Sequence, residues 1–227
     1  MSAVPASVAP PPLRAVLVDA VGTVMHLREP VGVTYARLAG TGDPAALQDA
    51  FARALRERPP MVFPGLDAAR VRAAEREWWQ ELVESVFATA GTALPAGAFA
   101  RLWEHYAGAG AWETAPGAQA LLRGLRQRGL RTGMVSNFDH RLPAVLAALC
   151  LAPLLDVVVL PADAGAAKPD ARIFHTALAR LGVAPGAALY VGDDADDDIA
   201  GASAAGLRAV DVARVKDLSE ILAECDK

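Results

Sequence analysis

The chain has 227 residues and a net charge of -4. That suits one large domain, or a core with an insertion, and argues against nucleic acid as the main partner. Hydrophobic residues make up 53% and charged residues 21%, a balance that builds a packed core, while no apolar run is long enough to span a bilayer.

Residues 1–12 carry Pro5, Pro10, Pro11 and Pro12, with no basic region ahead of an apolar one. This reads as a flexible tail rather than a signal peptide. "AVLV" (15–18) follows, a short apolar run expected as a strand buried on both faces and ending in Asp19. From 26 to 112 the period changes. Leu47, Phe51 and Leu55 fall four apart, as do Trp78, Leu82 and Val86, and Phe99, Leu102, Trp103 and Tyr106 keep helical spacing. This segment contains no convincing strand and is expected as a helical cap, hinged near 25 and 113. Trp78 and Trp79 point about 100° apart on a helix, so one is expected in the cap core while the other can face the cleft.

The remainder, 13–25 and 113–227, alternates strand and helix. Apolar runs recur as "TGMVS" (132–136), "DVVVL" (156–160), "ALYVG" (188–192) and "LRAVDV" (207–212). Between them, 117–129 and 170–182 show helical stripes that end at Gly129 and Gly182. The expected fold is α/β, a parallel sheet covered on both faces. Cys150 and Cys225 are too few for a disulfide framework and read as reduced thiols of a cytoplasmic protein.

Open parallel sheets bind ligands outside the carboxyl ends of their strands. There this chain places Asp19, Ser136 with Asn137, Lys168 in "AAKPD", and "GDDADDD" from 192 to 198. Pro169 pushes Lys168 into an extended conformation ahead of a helix. A carboxylate, a hydroxyl, an ammonium and an acidic cluster on one edge suit phosphate chemistry. Asp19 would attack phosphorus, Ser136 and Lys168 would hold the transferring group, and the acidic cluster would hold Mg²⁺. Only Lys168, Lys216 and Lys227 are lysines, which makes a lysine at this point compositionally unusual.

This order of motifs resembles the haloacid dehalogenase superfamily of aspartate-nucleophile hydrolases. "DAVGT" resembles its first motif, Ser136 its second, Lys168 its third and "GDDADDD" its fourth, over about 13–212. "REPVG", "REWWQELV" and "VSNFDHRL" resemble one subgroup, the haloacid dehalogenase-like hydrolase domain-containing 3 proteins. The resemblance implies a five-stranded Rossmann-like core with a helical cap over the site, acting on a small-molecule substrate. It implies Asp19 as nucleophile, with Asp19, the Val21 backbone carbonyl and Asp193 as Mg²⁺ ligands. Thr23, Ser136 and Asn137 are expected to bind the phosphate group, and Asp198 to orient Lys168 or a metal-bound water. Asp194, Asp196 and Asp197 are expected as solvated surface, and His26 outside the cleft.

Typical phosphatases of this superfamily carry an aspartate where this chain has Val21. That aspartate protonates the leaving group and then activates water, and valine can do neither. His26 and Asp139 are the substitutes to test. Phosphonoacetaldehyde hydrolase, which also lacks this aspartate, uses a cap lysine, and 26–112 contains none. The 2-haloacid dehalogenases need no metal and lack the Gly-Asp start of the fourth motif. Dehalogenation stays as the second reading, with Arg37 and Arg53 of the cap as possible halide or carboxylate ligands. A non-catalytic binder of phosphorylated metabolites or of a partner protein is the third.

Overall fold

The first strand is apolar on both faces, and burial from both sides decides its place. In the computed structural model, which describes residues 11–226, it lies in the middle of the main sheet. The tail expected over 1–12 falls outside the described residues except for its last two. The strands are β1 Ala15–Val18, β2 Met25–Leu27, β3 Trp112–Thr114, β4 Arg131–Val135, β5 Val157–Val159, β6 Ala188–Gly192 and β7 Arg208–Asp211. Five of them form a parallel sheet in the order β5-β4-β1-β6-β7. The chain passes from β1 to β4 on one side and later to β6 on the other. The carboxyl end of β1 is therefore the switch point of the sheet, where α/β folds hold ligands.

The helices are α1 Val31–Ala39, α2 Pro44–Glu57, α3 Ala68–Thr89, α4 Ala98–Ala107, α5 Ala118–Gln127, α6 Leu142–Ala148, α7 Pro161–Ala164, α8 Ala171–Leu181 and α9 Gly201–Ala204. Alternation along β1 divides the core in two. Val16 and Val18 pack with Leu121, Leu122 and Leu125 of α5 and Val145 of α6. Ala15 and Leu17 pack with Ile173, Phe174 and Leu178 of α8. The side chain of Asp170 caps the N-terminus of α8, and Gly182 ends that helix in the left-handed conformation. Among the described residues no helix is long and apolar enough to cross a membrane.

Helices α1 to α4 have a separate apolar core of Tyr35, Leu47, Leu82, Val86, Phe87 and Leu102. The Tyr35 ring stacks on Phe87 with centroids 6.0 Å apart. The expectation of a strand-free segment from 26 to 112 needs one correction. Met25–Leu27 and Trp112–Thr114 pair antiparallel, so a two-stranded ribbon forms both borders of the helical part. Three-residue strands are too short to show a period of two. Their partners also lie far apart in the chain, so no hairpin signal marks them. The main sheet takes none of its strands from this segment.

The cap core should behave as an ordinary packed interior. Leu82, fully buried, is expected to cost about 2–5 kcal/mol when replaced in Leu82→Ala. Urea unfolding with the slope held constant measures this.

Candidate active site

Asp19 directly follows β1, and its backbone N–H bonds the Val191 carbonyl at 2.9 Å. Its side chain is only 7% exposed. The loop after α7 brings Lys168 to it, with Nζ 2.6 Å from Asp19 Oδ1. The same ammonium bonds Asp198 Oδ1 and lies 3.3 Å from the Tyr190 hydroxyl. One buried cation is thus shared by two buried carboxylates. Burial pushes Asp19 up to about 6 against the pull of Lys168, and Asp198 adds to the rise. Burial would lower Lys168, but the two carboxylates more than offset it and its pKa is raised.

Asp198 has no oxygen to spare. Its Oδ2 accepts the backbone N–H groups of Asp193 and Asp194 at 3.1 and 3.2 Å, and its Oδ1 also receives the Tyr190 hydroxyl at 2.9 Å. Ligand oxygens of Asp19, Asp193 and Asp198 all lie within 4.8 Å of one another. Asp193 keeps an exposed edge, yet the loss of water around its carboxylate pushes its pKa up. The aspartates stand this close because the first and fourth motifs carry glycines. A Cβ on Gly22, which has φ +94°, would lie 2.2 Å from Asp193 Oδ2, and one on Gly192 would lie 2.4 Å from the Asp198 carboxylate. Only glycine leaves room for both carboxylates.

A family model for haloacid dehalogenase-like hydrolases matches residues 13–206. The chain belongs to that family. Haloacid dehalogenase-like hydrolase domain-containing protein 3 of Bos taurus is 36% identical over 209 residues, 88% of this chain and 82% of that protein. Among solved structures, a dehalogenase superposes with a TM-score of 0.71 at 26% identity, over 93% of this chain and 96% of the other. A HAD phosphatase from Thermococcus onnurineus superposes with a TM-score of 0.59 at 25% identity, over 90% of this chain and 88% of the other.

Within this haloacid dehalogenase-like site several expected roles change. Thr23, expected on the phosphate, is buried and donates its hydroxyl to Asp193 Oδ1 at 3.0 Å. It holds the acidic residue in place. The side chain of Asn137, also expected on the phosphate, is committed to Lys168. Its Oδ1 accepts the Lys168 backbone N–H at 2.7 Å, and its Nδ2 donates to the Lys168 carbonyl at 3.1 Å. The same Nδ2 reaches Asp197 Oδ2 at 3.1 Å, so Asp197 is half-buried rather than solvated. Asp194 caps the π-helical turn Ala195–Ala200 through the N–H groups of Asp196 and Asp197. Ser136 is buried at the end of β4, where its Oγ accepts the N–H of Phe138 at 3.4 Å. Tyr190 escaped the sequence reading because it lies inside a strand, where an aromatic reads as core.

The two candidates for a replacement acid also move. His26 lies on β2 and lines a cavity of about 250 Å³ beside Asp193, with Gly22, Thr23, Asp211 and Lys216. Asp19, Ser136 and Lys168 do not line that cavity, so His26 stands beside Asp193 and not among those three. Asp139 is fully buried and ion-paired with Arg141, with the indole of Trp79 on its Oδ2. Those contacts commit it to structure.

Removing the shared cation has a signed consequence. Lys168→Met leaves Asp19 and Asp198 buried without their counter-charge, an expected loss of roughly 3–5 kcal/mol near neutral pH. Asp19, already raised by burial, would lose the pull of Lys168 that lowers it. The loss should shrink as the pH falls and Asp19 becomes neutral, and grow as it rises. Urea unfolding of wild type and variant at pH 5 and 8 checks both points.

Proposed function

We propose that this hydrolase is a Mg²⁺-dependent phosphohydrolase of a small phosphorylated metabolite, with Asp19 as its nucleophile. One observation carries the reading. A second carboxylate, Asp193, stands within 4.8 Å of the nucleophile, and its near edge is exposed. Two carboxylates so close together suit a hard divalent cation. Both have pKa values raised by loss of water, which a bound cation would reverse. Asp19, Asp193 and the Val21 carbonyl would hold Mg²⁺, which would offset charge on the transferring phosphoryl group. Asp198 would stay outside this set, because its oxygens already hold Lys168 and two backbone N–H groups.

The chain's own residues would act as follows. Lys168 holds Asp19 Oδ1, which aims the carboxylate across the cleft. An Asp19 oxygen attacks phosphorus and forms an acyl phosphate, while the bond from phosphorus to the ester oxygen breaks. Ser136 and Lys168 offer hydrogen bonds to the phosphoryl oxygens. The departing oxygen takes its proton from water, because Val21 has none to give. Water then attacks the phosphorus of the acyl phosphate, releasing phosphate and restoring the Asp19 carboxylate. The absent acid-base group is typically worth about 10²–10⁴ in rate. Substrates whose leaving groups need little protonation are therefore favoured.

Dehalogenation keeps some support from the dehalogenase likeness. The cap arginines do not add to it. Arg37 is exposed and paired with Glu29 at 2.8 Å, and Arg53 is exposed. The deciding experiment is a screen of alkyl and acyl phosphates with Mg²⁺, run beside 2-haloacids without metal. Phosphate release that needs Mg²⁺ and is lost in Asp19→Asn supports the proposal. Halide release without metal, or no turnover of any substrate, overturns it in favour of the dehalogenase or the non-catalytic binder.

Two further outcomes are expected. Val21→Asp should raise turnover of alkyl phosphates by about 10²–10⁴ and that of acyl phosphates far less, as steady-state kinetics on both substrates will test. Mg²⁺ affinity should be lost in Asp193→Asn. In wild type it should weaken as the pH falls through about 6, because a proton on Asp19 competes with the cation. Calorimetric titration at pH 5, 6 and 7.5 measures both.

A further inference from the structure

The cap meets the core at a second place besides the ribbon. Helix α3 buries Val71, Leu82, Val83, Val86 and Phe87 along one side. Glu75 sits in that stripe one turn after Val71 and is 1% exposed. A carboxylate placed there is costly unless donors meet it. It receives the His140 backbone N–H at 3.3 Å and contacts Nδ1 of the same histidine. One turn further on, Trp79 donates Nε1 to Asp139 Oδ2 at 2.8 Å. Arg141 bonds Asp139 Oδ1 through Nε at 2.8 Å and through its backbone N–H at 2.9 Å. Its guanidinium carbon lies 3.7 Å from the ring centroid of Trp103 on α4, a cation–π contact. Three cap residues and three consecutive core residues thus form one polar seam, in which Glu75, Asp139 and Arg141 are buried and the others half-buried.

Those core residues continue the loop that begins with Ser136 and Asn137. Asn137 braces the Lys168 backbone, and Ser136 Oγ accepts from Phe138. The loop is tied to β4 at one end and to the cap at the other. Charges desolvated at an interface demand one geometry, so a buried ionic seam fixes register more than it adds stability. We propose that Glu75 and Trp79 are positioning residues. By docking the cap on Asp139, His140 and Arg141 they hold Ser136 in the arrangement that grips a phosphate group, and keep Asn137 on the Lys168 backbone. Phosphate affinity then depends on cap docking, while the cation site, built from β1 and β6, does not. This inference rests on the phosphohydrolase reading.

The test is calorimetric titration of the full chain, first with Mg²⁺ and then, once saturated, with inorganic phosphate. Trp79→Phe keeps an aromatic ring but removes the indole donor, and Glu75→Gln keeps the side chain's shape. Each variant is expected to weaken phosphate binding by about tenfold, the scale of one hydrogen bond to a charged group, and to bind Mg²⁺ as wild type does. Unchanged phosphate affinity in both variants overturns the inference and leaves the phosphohydrolase reading standing. A parallel loss of Mg²⁺ affinity also overturns it, because that marks general loosening of the fold. Failure of wild type to bind phosphate at all overturns both.

Discussion

The ammonium of Lys168, buried between Asp19 and Asp198, is the interaction on which the rest of the site depends. Two carboxylates share one cation, so the buried group carries residual negative charge. Burial, with the Asp198 charge behind it, pushes Asp19 up to about 6, while the two carboxylates hold Lys168 above its usual range. Three separate loops must meet for it to exist, one after β1, one after α7 and one after β6. Each is stiffened where it arrives. Asn137 fixes the Lys168 backbone, Asp198 gathers two N–H groups of the β6 loop, and Tyr190 reaches both Asp198 and the Val135 carbonyl. Preorganisation of this kind is what the proposed nucleophile needs in order to act without reordering its surroundings.

The glycines of the two acidic motifs serve the same end by steric means. With a side chain on Gly22 the Asp193 carboxylate could not stand where it does, and Gly192 gives Asp198 the same freedom. Asp193 is in turn fixed by Thr23, from the same turn as Gly22. The acidic pair is therefore a property of the β1 turn as much as of the β6 loop. A residue read as a phosphate contact proves to be part of the scaffold that holds like charges together.

The helical insertion is attached in two chemically different ways. The β2-β3 ribbon joins it through backbone hydrogen bonds, which tolerate bending. The seam under α3 joins it through desolvated charges and indole contacts, which do not. Val21, 37% exposed, sits on the turn between β1 and the ribbon. The position that lacks an acid therefore borders the junction between the two parts.

The sequence by itself determined the layered architecture, the order of the site motifs and which residues meet at the carboxyl end of the sheet. Those features rest on local signals, namely apolar runs of strand length, helical stripes ended by Gly129 and Gly182, and a carboxylate directly after a buried strand. Asp19, Lys168 and the acidic cluster were legible for that reason, while the choice of Asp193 and Asp198 within the cluster came from the family resemblance. The short ribbon strands carry too few residues for any period to show. Roles resting on distant partners also needed the tertiary structure. Thr23 belongs to Asp193, Asn137 to Lys168, and Trp79 to Asp139. Glu75 left a trace, a charge in an apolar stripe, but not the identity of its partner. The reason is physical: a side-chain hydrogen bond depends on position and angle to a few tenths of an ångström, and between residues far apart in the chain only folding sets either.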